Sequence, residues 1–142
     1  MKGATELTVG LLGSAELIVA EQHTASAMGS GRMPVLATPA MVALMEAAAQ
    51  NAVDKLLTSG YQTVGTRLDV YHYSSTPIGM RALAIAELTA VEGRTLTFQL
   101  VVHDDKELIG EGLHVRTITS LASFNRLLQQ KIRRAPVKMP NT

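Results

Sequence analysis

The chain has no cysteine and no tryptophan, and only two phenylalanines among its 142 residues. Without cysteine there are no disulfides, no thiolate metal sites and no cysteine nucleophile, a composition that suits a reducing compartment. No run of about 18 apolar residues occurs, so no membrane-spanning helix is expected. No secretory leader is expected either, because Glu6 and Glu16 interrupt the apolar residues that follow Lys2. A cytoplasmic protein without a membrane partner is the resulting expectation. A strong charge of one sign is also missing: the net charge is +1, which gives no electrostatic basis for a nucleic-acid partner. The basic residues thicken only at the end, at Arg126, Lys131, Arg133, Arg134 and Lys138. Cations there suit a solvated helix terminus, where they meet the negative end of the dipole.

What the chain does have is small and flexible apolar side chains. Nearly half of it is hydrophobic, 46% against 4% aromatic, so Ala, Val, Leu and Met must fill the core. The length predicts one domain, placed at 1–135, with 136–142 as a loose tail holding Pro136 and Pro140. The stretch LATPAMVALMEAAAQNAVDKLL, residues 36–57, reads as an amphipathic helix from about 38 to 58. Thr38 is the expected N-cap, Pro39 suits the first helical position, and Gly60 ends the run. Val42, Glu46, Ala49 and Val53 recur at three- and four-residue steps, so they share one face. A carboxylate inside an apolar stripe needs a partner, a proton or a wet rim.

The remaining segments alternate like strands, at 14–24, 61–75, 80–92, 94–104 and 108–119. A Gly-rich loop is expected at 25–34, turns at 76–79, 92–93 and 104–107, and a final helix at 120–134 capped by Ser120 or Ser123. Gly110 and Gly112 inside the last strand suggest a bulge or a close backbone approach. Alternation puts Val70, His72 and Ser74 on one strand face and Asp69, Tyr71 and Tyr73 on the other. Strand, long helix, then consecutive antiparallel strands predict an α+β fold, one antiparallel sheet wrapped around a long central helix.

Three segments in this order, TPAMVALMEAAA, VGTRLDVYHYSSTPIG and AELTAVEGRTLTFQLVVHDDKELIGEGLHVRTI, resemble hotdog-fold acyl-CoA thioesterases of the fluoroacetyl-CoA thioesterase-like branch. The resemblance spans about residues 36–130. It implies a hotdog fold, a homodimer or larger homo-oligomer joined edge to edge, and acyl-thioester sites at the subunit interface. It implies catalytic roles for Thr38, Glu46 and His72. It matches Gly65 to a glycine whose backbone N–H faces the reacting carbonyl, and Arg116 to an arginine close to the site. The resemblance also has a gap. Phenylalanines that lid the fluoroacyl pocket have no counterpart in GSGRMPVLA, since Phe98 and Phe124 lie elsewhere in the chain.

The residue types suit thioester hydrolysis. Glu46 can act as a general base for water or as a nucleophile forming an acyl-enzyme anhydride, and both routes stay open at this point. His72 can exchange a proton near neutral pH. Eight helical residues span about 12 Å, so Thr38 and Glu46 of one helix are not expected to touch; either the substrate lies along the helix or the site draws groups from two chains, and the two-chain site is the favoured expectation. No metal and no resident cofactor are expected. Coenzyme A enters as part of the substrate, with Arg81, Arg94, Lys106 and Arg116 as candidate partners for its phosphates. His103, Asp104 and Asp105 read as a solvated turn. His114 and Arg116 share a strand face, where they line the site or pair with a carboxylate. A non-catalytic acyl-CoA or small-ligand binding protein is the main alternative on the same fold, and a hydratase is a weaker third.

Overall fold

In a computed structural model of the chain, which describes residues 7–140, the central helix α2 runs Thr38–Val53. It buries Ala40, Met41, Leu44, Met45, Ala48, Ala49, Ala52 and Val53. These recur at three- and four-residue steps, so one stripe of the helix faces the sheet. Val42 and Glu46 stand half-buried at the edge of that stripe.

The sheet has five antiparallel strands: β1 (Leu12–Ile18), β2 (Tyr61–His72), β3 (Arg81–Glu92), β4 (Thr95–Asp104) and β5 (Leu108–Ser120). Their lateral order is β1-β3-β4-β5-β2. On β3, Ala82, Ala84, Ala86 and Leu88 point into the core; on β4, Leu96, Phe98, Leu100 and Val102 do so. This strict period of two is what a sheet with one covered face requires. Alanines from both layers meet in the same core, which lets the helix lie close to the sheet. Gly13 makes the approach closer still, since a side chain there would run into the Ala48 carbonyl and the Ala52 backbone. The expected α+β arrangement, a sheet wrapped around a long helix, is what the chain adopts.

Several local expectations need correction. The first strand ends at Ile18, and residues 21–23 form a 3-10 turn in which the Ala20 N–H donates to His23 Nδ1 at 2.9 Å. The Gly-rich stretch includes one helical turn, α1 (Ala25–Met28), capped by Thr24, whose hydroxyl accepts from the Ala27 N–H. Helix α2 stops at Val53 and tightens into a 3-10 turn over Asp54–Leu56. Thr38 is not its N-cap. Ala37 holds that position with no side-chain cap, and Pro39 follows in the first turn.

Gly60 does not end the helix: it takes a left-handed φ of 87° in the turn before β2, beyond the 3-10 turn that closes at Leu56. Other features match their expectation. Ser120 caps the final helix α3 (Leu121–Arg133) by accepting from the Ser123 N–H at 3.1 Å. Gly110 and Gly112 are positions of close approach: a side chain at Gly112 would strike the Asp69 carbonyl, and one at Gly110 would meet Met41. Residues 135–140 are exposed and carry no regular structure, and residues 141–142 of the expected tail lie outside the described residues.

Candidate functional site

The start of α2 meets the end of β2. Thr38 is exposed at the first turn, and its hydroxyl lies 2.8 Å from His72 Nδ1. The hydroxyl left free by the Ala37 cap is therefore the one that holds the imidazole. His72 Nε2 is shielded from solvent and has no hydrogen-bond partner among the described residues. Burial pushes this imidazole below its ordinary value, partly offset by the nearby Ser74 backbone. The ring is therefore biased toward its neutral form, able to accept a proton at one nitrogen and donate from the other. Beside the pair lies a cleft of about 230 Å³ lined by Arg32, Met33, Leu36, Thr38, His72 and Ser74, among others.

Two turns along α2, Glu46 points toward the middle of the sheet's β2–β5 pair. Its Oε2 accepts from Arg116 Nη1 at 3.2 Å. The arginine side chain is 5% exposed and the glutamate side chain 34%. Arg116 is held on three further sides. Its Nε donates to Thr63 Oγ1 at 2.8 Å, its Nη2 to the Thr63 carbonyl at 3.0 Å, and its Nη1 stands 3.2 Å from His114 Nε2. The strands explain this convergence. Thr63 and Gly65 share a face of β2, His114 and Arg116 share a face of β5, and Gly65 is directly opposite Arg116. A bulge between Gly65 and Arg67 then breaks the register.

Gly65 is the floor of this cluster. A Cβ there would lie 2.7 Å from Glu46 Oε2, 3.2 Å from His114 Cε1 and 3.3 Å from Arg116 Nη1. A side chain would displace the carboxylate, so the site needs glycine for space rather than for an unusual φ.

The structure thus places the five expected residues in two groups. Thr38 and His72 touch, and Glu46, Gly65 and Arg116 touch. Within one chain the groups stay apart, as the helical rise of about 12 Å over eight residues requires. Arg116 is too deeply engaged to serve a coenzyme A phosphate. Arg81 is paired with Glu16 and Asp105, and Arg94 lies over the Tyr61 ring. Sequence reasoning missed Thr63, although alternation with Gly65 could have flagged it, and it set His114 beside Arg116 as lining the site or pairing with a carboxylate, whereas the structure pairs Arg116 with Glu46 and His114 with Arg116. Among the described residues no group of three or more His, Asp or Glu side chains could hold a metal ion, and no helix is long and apolar enough to cross a membrane.

Comparison with known proteins follows the same outline. Residues 19–122 match the family model of the fluoroacetyl-CoA-specific thioesterase. The fluoroacetyl-CoA thioesterase of Streptantibioticus cattleyicolor is 40% identical over 97 residues, covering 68% of this chain and 70% of that protein. A solved structure of the fluoroacetyl-CoA thioesterase FlK superposes with a TM-score of 0.83 at 33% identity, covering 89% of this chain and 98% of the other. A Thermus thermophilus member of the thioesterase superfamily superposes equally well, with a TM-score of 0.83 at 25% identity, covering 89% and 93% of the two chains.

Proposed function

Because this chain belongs to the fluoroacetyl-CoA-specific thioesterase family, a family of thioester hydrolases with the hotdog fold, we propose that it cleaves a short or medium acyl-CoA to a carboxylate and free coenzyme A, using Glu46, His72 and Thr38. One observation carries this reading. Glu46 is pinned by Arg116 over a patch of strand from which Gly65 removes the side chain. A carboxylate held at the edge of an apolar stripe, facing open backbone, is arranged to meet a ligand.

In this reading the thioester carbonyl lies over Gly65, where the backbone N–H stabilises developing charge on oxygen. Glu46 either adds to the carbonyl carbon, to be released later by water, or takes a proton from the attacking water. Coenzyme A leaves as a thiolate that accepts a hydrogen bond from His72, and the proton released by the attacking water ends on its sulfur or in solvent. With Nδ1 accepting from Thr38, the ring's one hydrogen sits on Nε2, the nitrogen with no protein partner among the described residues. The cleft beside Thr38 and His72, about 230 Å³, suits a short acyl chain or the pantetheine thiol end better than a long lipid.

The two groups of residues call for a second subunit. Strand β2 ends the sheet, and among the described residues no strand pairs with the outer side of its 12-residue backbone. The edge exposes Leu68, Tyr71 and Tyr73, with the tyrosines stacked at 5.9 Å. A long, partly apolar edge is a template for pairing. A two-fold axis would pair β2 with its own copy in antiparallel fashion. With full overlap, Gly65 would face the partner's Leu68 and Tyr61 the partner's His72. Along one strand Gly65 and His72 are separated by seven residues, about 23 Å; across the pairing the offset falls to four, about 13 Å. Glutamate, thioester and imidazole can span the shorter gap.

The test offers purified protein a panel of acyl-CoAs, acetyl- and fluoroacetyl-CoA included, and records free thiol. Release that disappears in Glu46→Gln is expected. Binding of acyl-CoA without thiol release would instead make the protein a carrier. Co-expressed Glu46→Gln and His72→Ala subunits should regain part of the activity in a verified heterodimer, and no recovery there would overturn the shared site.

A further inference from the structure

His114 is the most completely buried titratable group in the cluster, with 0% exposure, and the proposed reaction gives it no task. Its two ring nitrogens meet partners of opposite kind. Nδ1 lies 2.8 Å from the Arg67 carbonyl, which can only accept. Nε2 lies 3.2 Å from Arg116 Nη1, which can only donate. Both contacts form together only when the imidazole is neutral with its hydrogen on Nδ1. The β2 bulge between Gly65 and Arg67 lies next to the carbonyl that selects this tautomer. Phe98 stands against the ring, its centroid 6.1 Å away and tilted.

We propose that His114 is a positioning residue, a buried hydrogen-bond acceptor that orients the Arg116 guanidinium so that its remaining Nη1 hydrogen points at Glu46. Thr63 fixes one side of the guanidinium through Nε and Nη2. That leaves Nη1 with two hydrogens and two acceptors, His114 Nε2 and Glu46 Oε2. Without that acceptor, Nη1 is held by Glu46 alone, so the guanidinium can tilt about its Thr63 anchor and Glu46 loses its fixed place over Gly65. His114 acts through Arg116 and touches no substrate, so its loss lowers kcat and leaves KM nearly unchanged.

The inference rests on the thioesterase reading, and the experiment separates the two. His114→Gln can present an amide oxygen where Nε2 stood, preserving the acceptor toward Arg116. His114→Asn reaches only the Nδ1 position, preserving the donor to the Arg67 carbonyl and losing the acceptor. With comparable melting temperatures, Asn is expected to lower kcat about tenfold or more and Gln less than about threefold, KM holding in both. In an Arg116→Met background, His114→Asn should cause no further loss. A readout independent of turnover is the guanidinium NMR signal of Arg116, expected to be resolved and slowly rotating in the wild type and in Gln, and averaged in Asn. Equal losses in Gln and Asn, an undiminished Asn effect without Arg116, or an unchanged guanidinium signal in Asn would each overturn the inference. Absence of thiol release with the NMR pattern intact would overturn the reaction and leave the positioning role standing.

Discussion

The two ends of the candidate site are built to different degrees. At the start of α2, Thr38 and His72 share one hydrogen bond at 2.8 Å, near the surface, and Nε2 of the ring has no protein partner among the described residues. Two turns further on, Arg116 makes four hydrogen bonds to Thr63, His114 and Glu46 in a nearly dry setting. The difference teaches what each end is for. A saturated network fixes a carboxylate before substrate arrives, so little reorganisation is left for the reaction. The imidazole's Nε2, unpartnered among the described residues, is where the proposed reaction brings the substrate. The dense end should therefore report on folding as well as activity, and the open end on activity alone.

Removing the guanidinium tests the dense end most severely. Arg116→Met leaves Thr63, His114 and Glu46 with unmet hydrogen bonds. The expected loss is about 3 kcal/mol in denaturant unfolding, toward the low end for a broken buried pair because Glu46 can still reach water. Thiol release should fall about a hundredfold. Loss of activity at unchanged stability would show that the network is not the structural anchor described here.

Gly65→Ala should part activity from stability at the same end. Its methyl would stand 2.7 Å from Glu46 Oε2, the far end of a flexible and partly exposed side chain. The carboxylate can swing aside only by loosening its bond to Arg116, so unfolding should change by about 1 to 2 kcal/mol, less than in Arg116→Met. Turnover should fall about tenfold or more, because the displaced group is the one proposed to react. Full activity in a folded Gly65→Ala protein would remove Gly65 from the site.

The open end predicts the reverse of a helix cap. Were Thr38 an N-cap, Thr38→Val would cost about 1 kcal/mol in stability. Here Ala37 is the cap residue, and the hydroxyl serves His72 instead. Stability should change by less than about 0.5 kcal/mol, while kcat falls about tenfold and Thr38→Ser restores most of it. A large drop in melting temperature with unchanged kcat would return Thr38 to a purely local role.

These residues also mark how far the sequence alone reaches. The repeat of apolar residues at three- and four-residue steps was enough to place α2, but it put Glu46 inside the stripe, whereas the structure sets Val42 and Glu46 half-buried at its edge. Alternation was enough to put Val70 and His72 on one face of β2. The pairing of Glu46 with Arg116 was not legible, because the two are 70 residues apart and meet only through the β2–β5 register. The role of His114 depends on the bulge at 65–67, which no period in the sequence announces. Thr38 was misplaced by one position because Thr-Pro is equally compatible with a cap followed by N1 and with the first two helical residues. Tertiary contact with His72 goes with the second arrangement.

The smallest effect expected is on the pH dependence of stability, and it too separates the two ends. Burial lowers the His114 imidazole from its ordinary 6.5, opposed by the hydrogen bond to the Arg67 carbonyl; Arg116 lowers it further and Glu46 raises it. Burial also lowers His72, opposed by the Ser74 backbone. A histidine depressed on folding binds fewer protons in the folded chain than in the unfolded one just below 6.5. Its contribution to stability is therefore complete above 6.5 and is lost as the pH falls through the folded value. Carboxylates titrate in the same acid range, but they are common to the wild type and to histidine variants and cancel in the difference. Denaturant unfolding from about pH 7 down to about pH 5 should show a shallower acid loss in His114→Gln than in the wild type, by no more than about 1 kcal/mol at the acid end. His72→Asn should flatten the curve less, since its ring lies nearer the surface and solvent screens its charge. A larger effect from His72 than from His114 would mean that the end of the site read here as open is the better sealed of the two.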